Sequence, residues 1–396
     1  MCWCMWTNDK SCYMHGFPIC SLWLSVPMRQ RGVPTIDLFA GAGGLSIGAT
    51  FAGCDVRAAF ELDGVACDTM RRNPKYHGAV LKADVADLTG DDLRQAANLR
   101  PGDPLIMVGG APCQPFSKAA YWVEEGEESR YRRARAAGEQ MARPPAPTEP
   151  RPDDRRTLVE EFWRLIFEAN ADGFVFENVP SIKHPRNRPV LEGFRSAALK
   201  AGYEVTEVTA NAAEYGVAQT RERVFLLGSR KSKPTAPAPT HAVRADPRTD
   251  LKPALTAGEA LEDFDDDRFF EPEEVISGRW AEHLRTVPPG SNYKAHTAWA
   301  GHPEPSFVTE TRFWNFLLKL APERPSWTLA ASPGPWTGPF HWSSRRLRTV
   351  EMAALQGFPR GYEWAGSRRD RVRQVGNAVP PPLAEVMVRA VAETVA

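Results

Sequence analysis

The chain has 396 residues, 42% hydrophobic and 25% charged, an ordinary globular composition with enough length for more than one core. Its 49 basic and 49 acidic residues cancel to a formal net charge of +0, so the chain is no polycation, and any contact with nucleic acid has to come from a local patch. No apolar run approaches the ~20 residues of a membrane span.

Of the 7 cysteines, Cys2, Cys4, Cys12 and Cys20 fall in the opening stretch, where their spacing fits no standard zinc pattern. The opening also lacks the basic start and continuous apolar core of a signal peptide. Residues 1–31 are therefore read as a disordered extension, with Met28 as an alternative start. Without a secretion signal the remaining cysteines are expected reduced, in a cytoplasmic protein that can use a thiol.

Thr35-Ile36-Asp37-Leu38-Phe39 reads as a short buried strand, followed by Ala40-Gly41-Ala42-Gly43-Gly44 and the start of a helix at Leu45. Strand, glycine-rich turn and helix form a nucleotide-binding arrangement, in which the glycines let the backbone approach a ligand. The next strand, Asp55 to Phe60, ends in Glu61-Leu62-Asp63, and Glu61 stands at the spacing from Gly41 expected of an acid that binds ribose hydroxyls. A third strand, Ala79 to Lys82, ends in Ala83-Asp84. No lysine follows the glycines as a triphosphate loop would require, so a nucleoside with a short charged tail fits better, and S-adenosylmethionine is such a molecule.

Leu105-Ile106-Met107-Val108 is a fourth apolar run, ending in Gly109-Gly110 and then Ala111-Pro112-Cys113-Gln114-Pro115-Phe116-Ser117. This reads as a buried strand whose tight loop presents one thiol at its carboxyl end, where open α/β sheets bind ligands. Prolines on both sides argue against Cys113 being inert core, and it is read as a covalent nucleophile. The segment from Tyr121 to Arg156 is irregular and includes the basic run Arg130 to Arg135, either a solvated loop or a flap that touches phosphates.

Thr157 to Ala169 reads as an amphipathic helix with Leu158, Phe162, Leu165 and Ile166 on one face. Strand Gly173 to Phe176 ends in Glu177-Asn178-Val179, which places Glu177 beside the Cys113 loop if the two strands are neighbours. A carboxyl in such an apolar crevice is expected to hold a raised pKa and act as a proton donor. Arg186 to Ala201 is expected helical, Tyr203 to Val208 alternates as a strand, and Gln219-Thr220-Arg221-Glu222-Arg223 leads into strand Val224 to Gly228. Arg221 and Arg223 would share a face and meet phosphate or a polarised carbonyl oxygen.

Beyond His241 the chain is loop-rich, and Arg268 to Glu323 is aromatic and basic, with Trp280, Tyr293, Lys294, His296, Trp299, Arg312, Phe313, Trp314, Phe316 and Lys319. Such residues suit phosphate and base-edge contacts or a small core, to which Trp314, Phe316 and Leu317 are assigned. Arg345, Arg346 and Arg348 form another basic cluster, read as a phosphate contact. Thr349 to Leu355 is a short helix, and Leu383 to Val395 a last helix expected to pack back on the first domain.

The motifs as a set resemble the DNA (cytosine-5)-methyltransferase family of prokaryotic type. They are Asp37 to Gly44, Pro112 to Ser117, Glu177-Asn178-Val179, Gln219 to Arg223, Leu355-Gln356-Gly357-Phe358-Pro359 and Gln374 to Pro380, in the family's order. The resemblance implies an α/β fold of the Rossmann-like, S-adenosylmethionine-dependent methyltransferase class with a smaller inserted target-recognition domain. The expected boundaries are 32–240 and 371–396 for the catalytic domain and 241–370 for the insertion. It implies Cys113 as nucleophile, Glu177 on the cytosine ring edge, and Arg221 and Arg223 near the base oxygen. Phe39, Gly41, Gly43 and Pro112 would line the cofactor pocket. Glu61 would take the ribose and Asp84 the adenine amino group, with Asn377 and Val379 closing the pocket.

The implied activity is transfer of a methyl group to carbon-5 of a flipped-out cytosine in a specific double-stranded DNA sequence. The enzyme would be a monomer and the modification half of a restriction–modification system, partnered by an endonuclease of the same site. The alternatives are a tRNA cytosine-5 methyltransferase, a catalytically silent DNA-binding module, and a Rossmann dehydrogenase, which leaves the Cys113 loop unexplained.

Overall fold

A computed structural model describes residues 32–112, 116, 130–131, 134, 139–142, 156–243, 250–264, 266–307 and 314–396. Residues 1–31, Cys113 and most of the segment between Phe116 and Arg156 lie outside the described residues. Seven strands form one sheet: β1 (Pro34–Leu38), β2 (Asp55–Glu61), β3 (Ala79–Lys82), β4 (Ile106–Gly109), β5 (Gly173–Asn178), β6 (Glu204–Asn211) and β7 (Glu222–Ser229). Their order is β3-β2-β1-β4-β5-β7-β6. The first five run parallel, and β7 lies antiparallel between β5 and β6.

The near-continuous apolar runs of β4 and β5 are what a sheet covered on both faces requires. Side chains alternate between those faces. Ile36, Leu38, Met107, Phe174 and Phe176 enter one core with Leu93 of α3 (Gly90–Ala96), Phe162, Leu165 and Ile166 of α4 (Leu158–Glu168), and Leu191 and Phe194 of α5 (Arg188–Lys200). Ile106, Val108, Val175, Phe225 and Leu227 enter the other, with Leu383, Met387 and Val391 of the last helix, α10 (Pro381–Val395). That helix returns the chain end to the first sheet, against α1 (Gly44–Phe51), as its apolar face predicts. The approach is close: a Cβ on Gly48 would stand 2.4 Å from the Ala384 methyl.

Strand order reverses beside β1, because the chain moves outward through β2 and β3 and then returns to place β4 on the other side. A crevice opens at the carboxyl ends of the strands at such a reversal. The helix α2 (Gly64–Arg72) starts at that edge, with the Asp63 carboxylate capping the Val65 N–H at 2.9 Å.

The inserted segment holds α6 (Ala257–Leu261), α7 (Ala281–Thr286) and short turns. Tyr293, Leu317, Leu284 and Phe340 make a small core of their own. A second core joins Leu261, Leu320 and Leu329 to α8 (Thr349–Leu355) and α9 (Arg368–Asn377). Helix α9 begins before the boundary expected at residue 371, because Ser367 and Asp370 form a capping box there. Residues Gly32–Ala396 group as one unit.

Two expectations about the insertion change. Trp314 is not core: it is 49% exposed, with its ring against that of Trp327, whereas Leu317 is fully buried. The arginine cluster is turned inward rather than presented to phosphate. Arg348 pairs with buried Glu274, Arg345 with buried Glu351, and Arg346 donates to the carbonyls of Glu273 and Pro335. Desolvated carboxylates demand a partner, and these arginines supply it. Among the described residues no helix is long and apolar enough to cross a membrane.

Candidate active site

The carboxyl ends of β1 to β5 surround a cavity of ≈ 650 Å³. Its first wall is the turn after β1. Phe39 (φ 55), Gly41 (φ 55) and Gly43 (φ 79) are all left-handed. A phenylalanine in that region is strained, and such strain persists only where the surroundings impose it. Here Asp37, fully buried at the strand end, accepts from the Ser46 N–H (3.0 Å) and Oγ (2.6 Å), tying strand to helix across the turn. Burial pushes the Asp37 carboxyl up to about 7, against the lowering effect of the Ser46 hydrogen bonds.

Phe39 and Gly41 line the cavity, and Gly43 does not. Gly43 is needed for another reason: a Cβ there would stand 2.1 Å from the His77 ring. Gly44 does line it, and its missing side chain admits the Val379 carbonyl, 2.1 Å from where a Cβ would sit. The predicted glycine role thus shifts by one residue. Spacing reveals how many glycines a turn needs, not which one a distant segment approaches.

Acids from β2 and β3 form the second wall. Glu61 accepts the Gly41 N–H at 2.7 Å with one oxygen and the Asp63 N–H at 2.8 Å with the other. Asp84 lines the cavity and caps the Ala86 N–H at 3.1 Å. Two lining residues that the sequence reading did not single out are Asp63 and Arg373, whose ion pair (2.5 Å) joins the start of α2 to α9. The acid was visible as part of Glu61-Leu62-Asp63; its partner, over 300 residues on, was not. Asn377 and Val379 close the cavity from the C-terminal side.

The third wall comes from β4 and β5. Gly110, Ala111 and Pro112 line it, with Glu177 and Val179 beside them on the neighbouring strand end. Asn178 donates to the Ala111 carbonyl at 3.1 Å, fixing the two strand ends together. Glu177 Oε1 receives Arg223 Nε at 2.7 Å, with both side chains 11% exposed. A Cβ on Gly110 would stand 2.7 Å from Glu177 Oε2, so the carboxylate occupies space that only glycine leaves. Burial raises the Glu177 pKa, while the charges of Arg223 and Arg221 oppose the rise. A carboxyl biased towards its protonated form can donate a proton.

Cys113 lies outside the described residues; the nearest described residues before and after it are Pro112 and Phe116. Pro112 lines the cavity, and Phe116 is fully buried in the first core, with the Arg156 guanidinium 5.0 Å from its ring centroid. Arg156 in turn donates to Asn187 Oδ1 at 2.9 Å.

The two arginines expected to act together part company. Arg223 reaches Glu177 in the cavity. Arg221 is 1% exposed, does not line the cavity, and donates to the carbonyls of Gly376 (2.7 Å) and Ala378 (3.1 Å). β7 begins at Glu222, so Arg221 stands outside the ladder and its side chain is free to follow the C-terminal segment instead.

The family model for C-5 cytosine-specific DNA methylase matches residues 33–134 and 148–393. The chain is 34% identical to the Type II methyltransferase M.SacI of Streptomyces achromogenes, over 91% of this chain and 93% of that one. It is 30% identical to the Type II methyltransferase M.XorII of Xanthomonas oryzae pv. oryzae, over 89% of this chain and 82% of the relative. Among solved structures, a prophage-encoded protein of E. coli assigned as a DNA modification methyltransferase superposes with a TM-score of 0.62 at 22% identity, covering 91% of this chain and 99% of the other. The S. pombe Dnmt2 methyltransferase superposes with a TM-score of 0.52 at 14% identity, covering 91% and 98%. The solved structures share the Rossmann-like fold of this chain, and the family match with the 34%-identical relative shows that the chain belongs to the C-5 cytosine-specific DNA methylases.

Proposed function

We propose that this enzyme methylates carbon-5 of one cytosine within a specific double-stranded DNA sequence, using S-adenosylmethionine and a transient bond from Cys113. The observation that carries the reading is the buried Glu177–Arg223 pair in the same cavity as Pro112 and the strand-end acids.

The cavity suits the donor. Its volume falls in the ~300–1,000 Å³ range of small-molecule sites, and acids stand at the ends of β2 and β3 with apolar walls between. Glu61 would accept from ribose hydroxyls, since each carboxylate oxygen has a second lone pair beyond its backbone bond. Asp84 would accept from the adenine amino group. Phe39, Gly41, Pro112, Asn377 and Val379 would shape the walls, and Gly43 would act through backbone conformation alone. When bound, S-adenosylmethionine supplies an electrophilic methyl group.

Carbon-5 of cytosine is a weak nucleophile. Addition of the Cys113 thiolate to carbon-6 makes the ring an enamine, and carbon-5 then becomes reactive. A free thiol has a pKa of ~8.5, so the site has to favour the thiolate. Electron density moves to ring nitrogen 3, where protonated Glu177 gives up its proton. Arg223 holds that carboxyl in place. Once carbon-5 has taken the methyl group, loss of its proton to solvent restores the ring double bond and expels the Cys113 thiolate, and ring nitrogen 3 returns its proton to Glu177. The base has to leave the duplex first, at a cost of a few kcal/mol. Arg221 is assigned no contact with the base; it ties β7 to the Gly376–Ala378 segment.

The Type II relatives support a modification role paired with an endonuclease of the same site, and a cytoplasmic monomer fits that role. The test is denaturant-stable capture on duplex DNA carrying 5-fluorocytosine. The unaltered enzyme should trap in the presence of donor and Cys113→Ser should not. Trapping by the serine variant, or methyl transfer to tRNA but not to duplex DNA, overturns the reading.

A further inference from the structure

The glycine turn is held from a distance. Ala42, between left-handed Gly41 and Gly43, lines the cavity, and its carbonyl accepts the Tyr362 hydroxyl at 2.7 Å. Tyr362 belongs to the segment between α8 and α9 and is 7% exposed. Its oxygen lies 2.9 Å from His77 Nε2.

The direction of this chain follows from valence. A carbonyl cannot donate, so the single hydroxyl proton points to Ala42, and His77 has to donate through Nε2–H. Burial holds His77 neutral, with its pKa lowered to about 4. The tyrosine ring is itself fixed, packed against Phe358 and Trp364 at 5.2 Å each. The backbone just after it is clamped too. Asn73 Nδ2 donates to the Glu363 carbonyl (2.8 Å), the Glu363 N–H returns to Asn73 Oδ1 (3.0 Å), and the Ala365 N–H donates to Thr69 Oγ1 (2.9 Å).

A turn rich in glycine has other peptide orientations available, because glycine takes positive and negative φ about equally readily. The Ala42–Gly43 peptide is held at both ends: its N–H donates to the Ala40 carbonyl within the turn (2.7 Å), and its carbonyl takes the Tyr362 hydroxyl from outside it. We propose that Tyr362 is a positioning residue for the methyl donor: its hydroxyl selects the orientation of the Ala42–Gly43 peptide, and so the shape of the turn against which the donor lies. This rests on the donor reading above.

The experiment uses the full chain and S-adenosylhomocysteine as probe. Tyr362→Phe removes one oxygen and keeps the ring. Its dissociation constant for the probe, and its KM for S-adenosylmethionine, should rise roughly 3- to 10-fold, the scale of one neutral hydrogen bond. Its KM for DNA and its kcat at saturating donor should match the unaltered enzyme. Amide exchange at Gly43 and Gly44 should quicken. His77→Asn, which leaves the tyrosine proton on Ala42, should lose less affinity than Tyr362→Phe. A lowered melting temperature with unchanged probe affinity makes Tyr362 merely structural and overturns the proposal. So does an equal or greater loss in His77→Asn, or a fall in kcat without a change in KM for the donor. Failure of the unaltered chain to bind the probe overturns the donor reading and this proposal together.

Discussion

Glu177 and Arg223 meet at 2.7 Å inside the cavity although they come from antiparallel neighbours, β5 and β7. The ladder pairs Glu177 with Phe225 and Asn178 with Val224, which leaves Arg223 level with the end of β5 and free to fold back onto the carboxylate. The pair sets the protonation bias of the site: burial pushes the proton on, and Arg223 limits how far.

Glu177→Gln keeps shape and removes the transferable proton. Methyl transfer in a single turnover should fall ~10²-fold or more, the range of general acid catalysis. Affinity for S-adenosylhomocysteine should change less than twofold. Equal loss of both would show that Glu177 binds the donor instead.

Arg221 and Arg223 should separate in their effects. Arg221→Gln strands the Gly376 and Ala378 carbonyls and should lower stability by about 2–3 kcal/mol, read by denaturant titration. Arg223→Gln should cost catalysis and shift the alkaline limb of the kcat profile upward, because Glu177, freed of its cation, keeps its proton to higher pH. Matching losses in both variants would mean that the two act as one unit.

Asp37 makes stability depend on pH. Its folded pKa, about 7, stands above the ordinary carboxylate value of 3.8. The folded state therefore holds the proton more tightly, and stability present below pH ~4 is lost as pH rises towards 7. Asp37→Asn should flatten this slope, with the gain in relative stability at pH 8 on the order of a few kcal/mol. Unfolding titrations from pH 4 to 8 check it, and an unchanged slope refutes the assignment.

Gly44→Ala should damage the cavity without removing any polar group. The new methyl meets the Val379 carbonyl, which is backbone and cannot swing aside. Loss of donor affinity by 10-fold or more, with the fold retained by circular dichroism, is expected. Gly41→Ala meets no atom within 4 Å and is strained only by its φ of +55, so it should cost about 1 kcal/mol of stability.

Much of this enzyme could be read from short stretches. Alternation and apolar runs located all seven long strands, because burial on one or both faces imposes its period within five or six residues. Acids at the ends of β2 and β3 and the Pro112–Cys113 turn needed no partner to be noticed. The order of the motifs pointed to the family before any contact was known. Tertiary structure alone decided which of two arginines two residues apart reaches Glu177. It also decided that Gly44 rather than Gly43 faces the cavity, that Arg345 and Arg348 turn inward, and that a tyrosine 320 positions away donates to the glycine turn. The reason is physical: local pattern records whether a residue is buried, whereas its partner depends on strand register and on the path of a chain returning from hundreds of residues away.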